Sequence, residues 1–145
     1  MAATVRQLLQ AKGGSVVTVS PQATVFEALE AMAKHDIGAL LVTDESGLRG
    51  IFSERDYARK IVLMGRFSRD TKVEEVMSTD LVTIAPEATV AECMNLMTHH
   101  RIRHLPVLDK GALVGVISIG DVVKAIMSQQ ELMISELESY ITGSR

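Results

Sequence analysis

The sequence predicts an α/β (α+β) fold in which two β-α-β-β-α repeats pack about a pseudo-twofold axis. Three observations predict it. Val16–Ile61 and Leu81–Ile126 superimpose at a constant offset of 65 residues without a gap, and about 18 of 46 positions are identical. Such repetition inside one chain marks a duplicated structural unit. Within each half, short apolar runs alternate with stripes of helical period. A unit of this size cannot cover both faces of its small sheet alone, whereas two copies can. The expected boundaries are residues 5–68 for the first repeat, 73–130 for the second and 131–145 for a C-terminal helical extension.

Taken in order, Thr4–Ala11 reads as a short amphipathic helix ended by Gly13-Gly14. Val16–Val19 is a brief strand stopped by Ser20-Pro21. Thr24 caps a helix whose Val25, Ala28, Leu29 and Met32 make one apolar stripe, ending near His35-Asp36. Gly38–Val42 is a strand buried on both faces. Asp44–Gly47 turns a hairpin into the return strand Leu48–Phe52, and Glu54–Met64 reads as the second helix. Gly65–Thr71 is a polar linker, and Val73–Met77 a short helical turn. The pattern then restarts: strand Leu81–Ile84, stop at Ala85-Pro86, a Thr89-capped helix carrying Val90, Cys93, Met94 and Met97. Strand His104–Leu108, a turn at Asp109–Gly111, strand Leu113–Ile117 and a helix from Gly120 onward complete it, with a bend expected at Ser128–Gln130.

The duplicated stretch with chemical content is GLRGIFSERD (Gly47–Asp56), echoed as ALVGVISIGD (Ala112–Asp121). In each, a glycine permits close backbone approach, and a serine at the strand-to-helix corner precedes an aspartate by three residues. The pairs are Ser53/Asp56 and Ser118/Asp121. Two readings follow. Ser-x-x-Asp ahead of an apolar run is a helix-capping signature. A strand-to-helix corner with unpaired backbone N–H groups is also a place to hold a phosphate.

The chain is long enough to bury a core, which is aliphatic and Met-rich. A formal charge of −3 argues against a nucleic-acid partner. One cysteine leaves no intrachain disulfide and no Cys-based zinc site. No leader and no membrane-length apolar run is evident, so a cytoplasmic, non-membrane protein is expected.

These motifs, with VVTVSPQATVFEALEAM matched by LVTIAPEATVAECMNLM and IGALLVTD by RIRHLPVLD, resemble a tandem cystathionine-β-synthase (CBS) domain pair, the Bateman module. The runs SERDYARKI, SIGDVVKAI and LESYITG are similar to the small stand-alone bacterial type. The resemblance implies two adenosine-ligand clefts, AMP as first ligand with NAD next, and ADP, ATP and S-adenosylmethionine as alternatives. It also implies a homodimer and, with no effector domain in the chain, an unidentified effector protein. Carried over, Asp56 and Asp121 would accept from ribose hydroxyls, and Ser53 and Ser118 would bind phosphate. Thr18 and Thr83 lie near the strand starts that family pockets use. The segment after the first helix supplies Ile37, Gly38 and Ala39 in one half and Arg103, His104 and Pro106 in the other. Only the second carries a basic pair, so the clefts are expected to differ, and which of them the pair serves is open. Arg55, inside the motif, is a further candidate for a phosphate contact, although its basic set, interleaved with acids, also reads as a solvated face.

No catalytic set is expected: there is no Gly-x-Gly-x-x-Gly, no Walker loop and no Ser-His-Asp elbow. His100 and His104 stand four apart but cross a helix end, so no metal site is expected, and His35 and His100 read as helix-end residues. Cys93 matches Ala28 and reads as a core residue.

Overall fold

The computed structural model describes residues 3–13 and 16–142. Helix α1 (Val5–Lys12) is capped by a reciprocal Thr4–Gln7 box, and Gly13 closes it at φ 87°. Strand β1 is only Thr18–Val19, followed by α2 (Val25–His35), β2 (Ala39–Asp44) and β3 (Gly47–Ser53). A single helical turn, α3 (Glu54–Asp56), runs on as a π-helical stretch over Tyr57–Val62. After a 3₁₀ turn at Val73–Glu75 come α4 (Val90–His100), β4 (His104–Asp109), β5 (Ala112–Ser118) and α5 (Ile119–Thr142).

In the first half β2 lies between β1, parallel to it, and β3, antiparallel to it. The second half pairs β4 with β5 in the equivalent register, Val107 opposite Gly115 as Val42 is opposite Gly50. Both hairpins carry a bulge at the equivalent step, after Val42 and after Val107. The expected strand over Leu81–Ile84 contracts to one parallel bridge from Ile84 to Val107. The Leu81 amide instead turns back onto the Thr79 carbonyl, which takes Leu81 and Val82 off the sheet.

Three further expectations are modified. The helix over Glu54–Met64 is only briefly α-helical: Leu63 and Arg66 donate to the carbonyls of Ala58 and Ile61, five residues back. The linker Gly65–Thr71 is anchored, because Phe26 and Val25 at the start of α2 donate to the carbonyls of Ser68 and Thr71. The expected bend at Ser128–Gln130 is absent, and α5 runs unbroken for 24 residues.

Each half has its own aliphatic core, and each core is completed by the segment that precedes the other repeat. Val5 of α1 is fully buried among second-half residues such as Val90, Cys93 and Leu105. Val73 and Val76 are buried among first-half residues such as Val25, Val42 and Phe52. Backbone bridges Thr4–Thr89 and Thr24–Lys72 tie these segments down. Lys72–Asp80 thus stands to the first half as Thr4–Lys12 stands to the second, at an offset of 68 rather than 65. This exchange is how two small units bury both faces of their sheets.

Thr24 illustrates the local controls. Its hydroxyl accepts from the Glu27 amide at 3.1 Å while Glu27 accepts from the Thr24 amide at 3.0 Å, holding the Glu27 carboxyl below its usual range. Thr24→Ala is expected to cost about 1 kcal/mol, read as a lowered unfolding midpoint with an unchanged denaturant slope.

Candidate functional site

The two Ser-x-x-Asp corners form closed capping boxes. The Asp56 amide donates to Ser53 Oγ at 3.1 Å, and the Ser53 amide returns a bond to Asp56 Oδ2 at 3.0 Å. Ser118 and Asp121 repeat this at 3.2 and 2.8 Å. The next amides are also committed, Glu54 to the Gly38 carbonyl and Ile119 to the Arg103 carbonyl. The expectation of unpaired N–H groups is therefore corrected for the amides of Ser53, Glu54 and Asp56 and for those of Ser118, Ile119 and Asp121, which capping and the hairpin ladder use.

Around this shared frame the halves diverge. In the first, Ser53, Arg55 and Asp56 border a cavity of about 470 Å³ together with Gly38. Arg103, His104 and Pro106 close it from the other half, so the basic segment faces the first motif across the pseudo-twofold. Ile51, Leu81, Val82, Ile102 and Ile119 supply apolar walls, and Glu54, Ser78 and Asp80 complete the lining.

Asp56 is only 7 % exposed. Its Oδ2 accepts from the Ser53 amide and hydroxyl, and its Oδ1 accepts from Ser78 Oγ at 3.2 Å and Lys60 Nζ at 3.1 Å. Arg55 reaches across the halves, donating from Nη1 to the Arg101 carbonyl at 3.3 Å. That carbonyl belongs to a residue held left-handed (φ 55°) at the end of α4.

His104 departs from the expected cationic pair. Burial, then the positive charge of Lys12, hold its pKa below the usual 6.5, with Asp121 opposing and Arg103 adding to the depression. Arg103 alone is the cation of that segment at neutral pH.

The second corner is occupied by the chain itself. Lys12 Nζ lies 2.7 Å from Asp121 Oδ2 and 2.8 Å from the Val116 carbonyl. Leu9 sits so close to Gly115 that a Cβ there would meet Leu9 Cδ2 at 2.5 Å. The hollow between Leu9, Lys12 and Gly115 is about 10 Å³ and reaches neither Ser118 nor Asp121. Burial raises the Asp121 pKa, but the Lys12 ammonium and the Ser118 amide outweigh it and leave the carboxyl below its ordinary value. At the first corner Met77 takes the place of Leu9 against Gly50, at 2.7 Å from a built Cβ. Asp80 takes the place of Lys12 and borders open space.

The remaining sequence-predicted residues lie off the cavity. Thr18 and Thr83 are exposed, because side chains alternate along an extended segment and their neighbours face inward: Val17 toward the first core and Val82 into the cavity. Ile37 packs on the first core and Ala39 is buried opposite Ser53. Ser118 and Asp121 face Lys12 and α1. Glu54, Ser78 and Asp80 were missed, and the last two fall in the stretch where the repeat changes offset.

Among the described residues, no three His, Cys, Asp or Glu side chains converge as a metal site, and no helix is long and apolar enough to cross a membrane. Cys93 is fully buried, and burial first, with the Glu92 charge second, pushes its thiol up to about 11. It is a core thiol, with no thiolate at neutral pH.

Comparison with known proteins agrees with this architecture. The CBS domain profile matches residues 12–63 and again 73–128. The chain is 39 % identical over 149 residues to the mitochondrial CBS domain-containing protein CBSX3 of Arabidopsis thaliana, covering 97 % of this chain and 72 % of that one. It is 39 % identical over 115 residues to the CBS domain-containing protein YhcV of Bacillus subtilis, covering 79 % and 81 %. A solved CBS-domain structure from Burkholderia ambifaria, provisionally ascribed to signal transduction, is 49 % identical and superimposes with a TM-score of 0.85 over 88 % of this chain and 96 % of that one. With two profile matches, duplicated capping corners and mutually completed cores, the chain belongs to the CBS domain family as a tandem pair.

Proposed function

We propose that this chain is a non-catalytic sensor that binds an adenosine nucleotide in the cavity beside Ser53 and Asp56, AMP before NAD, with ADP, ATP and S-adenosylmethionine as weaker alternatives. The observation that carries the reading is the meeting of Asp56 from one half with Arg103 from the other around one cavity. Its volume of about 470 Å³ falls in the range of small-molecule sites. The apolar walls suit a base, the acids suit hydroxyl and amine donors, and Arg103 with Arg55 suits a phosphate. A ribose hydroxyl takes the place of the Ser78 hydroxyl on Asp56 Oδ1, the longest of that carboxylate's contacts.

The sensing step follows from Arg55. A phosphate that draws its guanidinium off the Arg101 carbonyl exchanges an inter-half bond for a ligand bond. Occupancy then biases the angle between the halves only by the ligand's differential affinity for the two arrangements. An effector protein reads the angle. Val62 and Met127, equivalent in the two halves, are 55 % and 54 % exposed and provide matching apolar edges for a homodimer. The exposed apolar stripe from Leu132 to Ile141 on α5 favours a second reading, a structural dimerisation or partner-docking module whose cavity stays empty.

A thermal-shift panel of AMP, NAD, ADP, ATP and S-adenosylmethionine separates the two. A ligand at 100-fold its Kd adds about 2.7 kcal/mol, a rise of several degrees for a chain of this size. No shift with any of the five at millimolar concentration retires the sensor reading in favour of docking.

The depressed His104 gives a pH signature. An added phosphate favours its protonated form, so AMP affinity is expected to rise a few-fold as pH falls from about 7.5 to 6.5, while adenosine affinity stays flat. Calorimetric titration at the two pH values checks this. For the ligand-free chain the sign is opposite. The fold holds His104 neutral, the unfolded chain binds the extra proton, and stability is lost as pH falls through 6.5 toward the lower folded value.

A further inference from the structure

The parallel ladders of the two halves differ by one missing amide. In the first half Leu41 donates to the Val17 carbonyl at 3.4 Å, the bond that sets Thr18 opposite Leu41. At the offset of 65 the same bond would run from residue 106 to Val82, and residue 106 is proline, which has no N–H to give. The rest of the ladder survives. Ile84 donates to the Pro106 carbonyl at 3.0 Å and Leu108 to the Ile84 carbonyl at 2.9 Å, so Ile84 stays opposite Val107 as Val19 is opposite Val42. The contraction of the expected strand Leu81–Ile84 to one bridge is thus the loss of a single donor.

The proline costs the hairpin nothing. Pro106 lies opposite Val116 as Leu41 lies opposite Ile51, and the Leu41 amide turns away from its hairpin toward Val17. An amide direction that no hairpin partner needs is where a sheet tolerates proline.

The loss falls on the cavity. Val82 and Pro106 both border it, as does Leu81. Among the described residues nothing donates to the Val82 carbonyl. Paired strands lie about 4.8 Å apart, too close for a ligand to enter between them, so a bond from residue 106 to Val82 would shut this side of the cavity.

We propose that Pro106 is a positioning residue that keeps the cavity open by withholding the amide that would draw Leu81–Val82 onto β4. It acts through the backbone, so the effect does not depend on the size of the side chain. Its consequence for affinity rests on the nucleotide reading of the cavity, whereas the strand pairing does not.

Pro106→Ala and Pro106→Leu in the full chain each restore the donor, and leucine is what the first half carries at this place. In both variants the amide of residue 106 is expected to exchange with deuterium oxide about 100-fold more slowly than an unpaired amide, read by NMR. AMP affinity is expected to fall about tenfold in both, read by calorimetric titration. The unfolding midpoint is expected to stay at or above that of the parent, since a hydrogen bond is added. The α-hydroxy analogue of leucine at 106 carries the leucine side chain and no N–H, and is expected to return the affinity to within about twofold of the parent. An amide that exchanges freely in both variants overturns the pairing. Protection at 106 with AMP affinity unchanged overturns the closing of the cavity. A loss of affinity confined to leucine, or one that the hydroxy analogue leaves in place, assigns the effect to side-chain bulk and overturns the backbone role. Should the parent bind no nucleotide, the nucleotide reading falls, and the exchange of the 106 amide still decides whether the proline holds Val82 off the sheet.

Discussion

Asp56→Ala is expected to lower stability by about 2–3 kcal/mol and to abolish nucleotide binding together. Asp56 is 7 % exposed, and its carboxylate accepts from four donors on three stretches of chain: the Ser53 amide and hydroxyl, Ser78 Oγ and Lys60 Nζ. Truncation removes the reciprocal half of the cap, worth about 0.5–2 kcal/mol, and leaves part-buried donors unpaired at about 1–3 kcal/mol for the worst of them. Lys60 is 41 % exposed and turns to water, which keeps the sum at the lower end. Asp56→Asn keeps the shape and one acceptor oxygen, so it is expected to recover much of the stability and little of the binding. Urea unfolding beside calorimetric titration of both variants reads the two effects separately. A variant that unfolds as the parent does contradicts the four-donor account; one that binds AMP undiminished removes Asp56 from the site.

The duplicated halves were legible because the constraints behind them are local. Thr24 and Thr89 cap their helices whatever lies beyond, and Gly50 and Gly115 are demanded by a chain crossing close overhead. The offset of 65 carries both hairpins and both bulges. What escaped was what depends on chain passing between the halves. TVRQLLQAK and KVEEVMSTD occupy equivalent places at an offset of 68, and a gapless comparison breaks at the glycines between Lys12 and Val16. With that equivalence unseen, nothing placed Ser78 and Asp80 in the cavity or paired Lys12 with an acid 109 residues away. The commitment of the corner amides was likewise hidden, since a Ser-x-x-Asp signature reads the same with its N–H groups free or taken. The π-helical course of Tyr57–Val62 has a visible consequence, since Lys60 there reaches both Asp56 and the Val76 carbonyl, but no residue in it announces the wider turn.

Opening the second corner is the strongest test of why the pair is asymmetric. Leu9→Ala combined with Lys12→Ala is expected to raise the stoichiometry from one nucleotide per chain to two, at a stability cost of about 2–3 kcal/mol. Leu9 is half-buried, so its truncation falls toward the low end of the range for Leu→Ala, about 2–5 kcal/mol. The Lys12–Asp121 pair, 33 % and 24 % exposed, contributes modestly after screening. Helix α1 stays docked, because Val5 remains in the second core and the Val5 and Arg6 amides still donate to the carbonyls of Ala88 and Pro86 at 2.8 and 2.9 Å. The space vacated is bordered by Asp121 and the Val116 carbonyl, the same kind of acceptors that the first cavity offers a ribose. The acid limb moves as well. Lys12 helps keep the Asp121 pKa below its usual 3.8, so the parent keeps that contribution above 3.8 and loses it as pH falls through the lower folded value. In the double variant the folded pKa rises toward that of the unfolded chain, and the contribution shrinks to what the Ser118 bonds retain against burial. A stoichiometry that stays at one, in a variant showing the expected loss of stability, would mean that the asymmetry resides in Arg103 and the first cavity rather than in the lysine that fills the second.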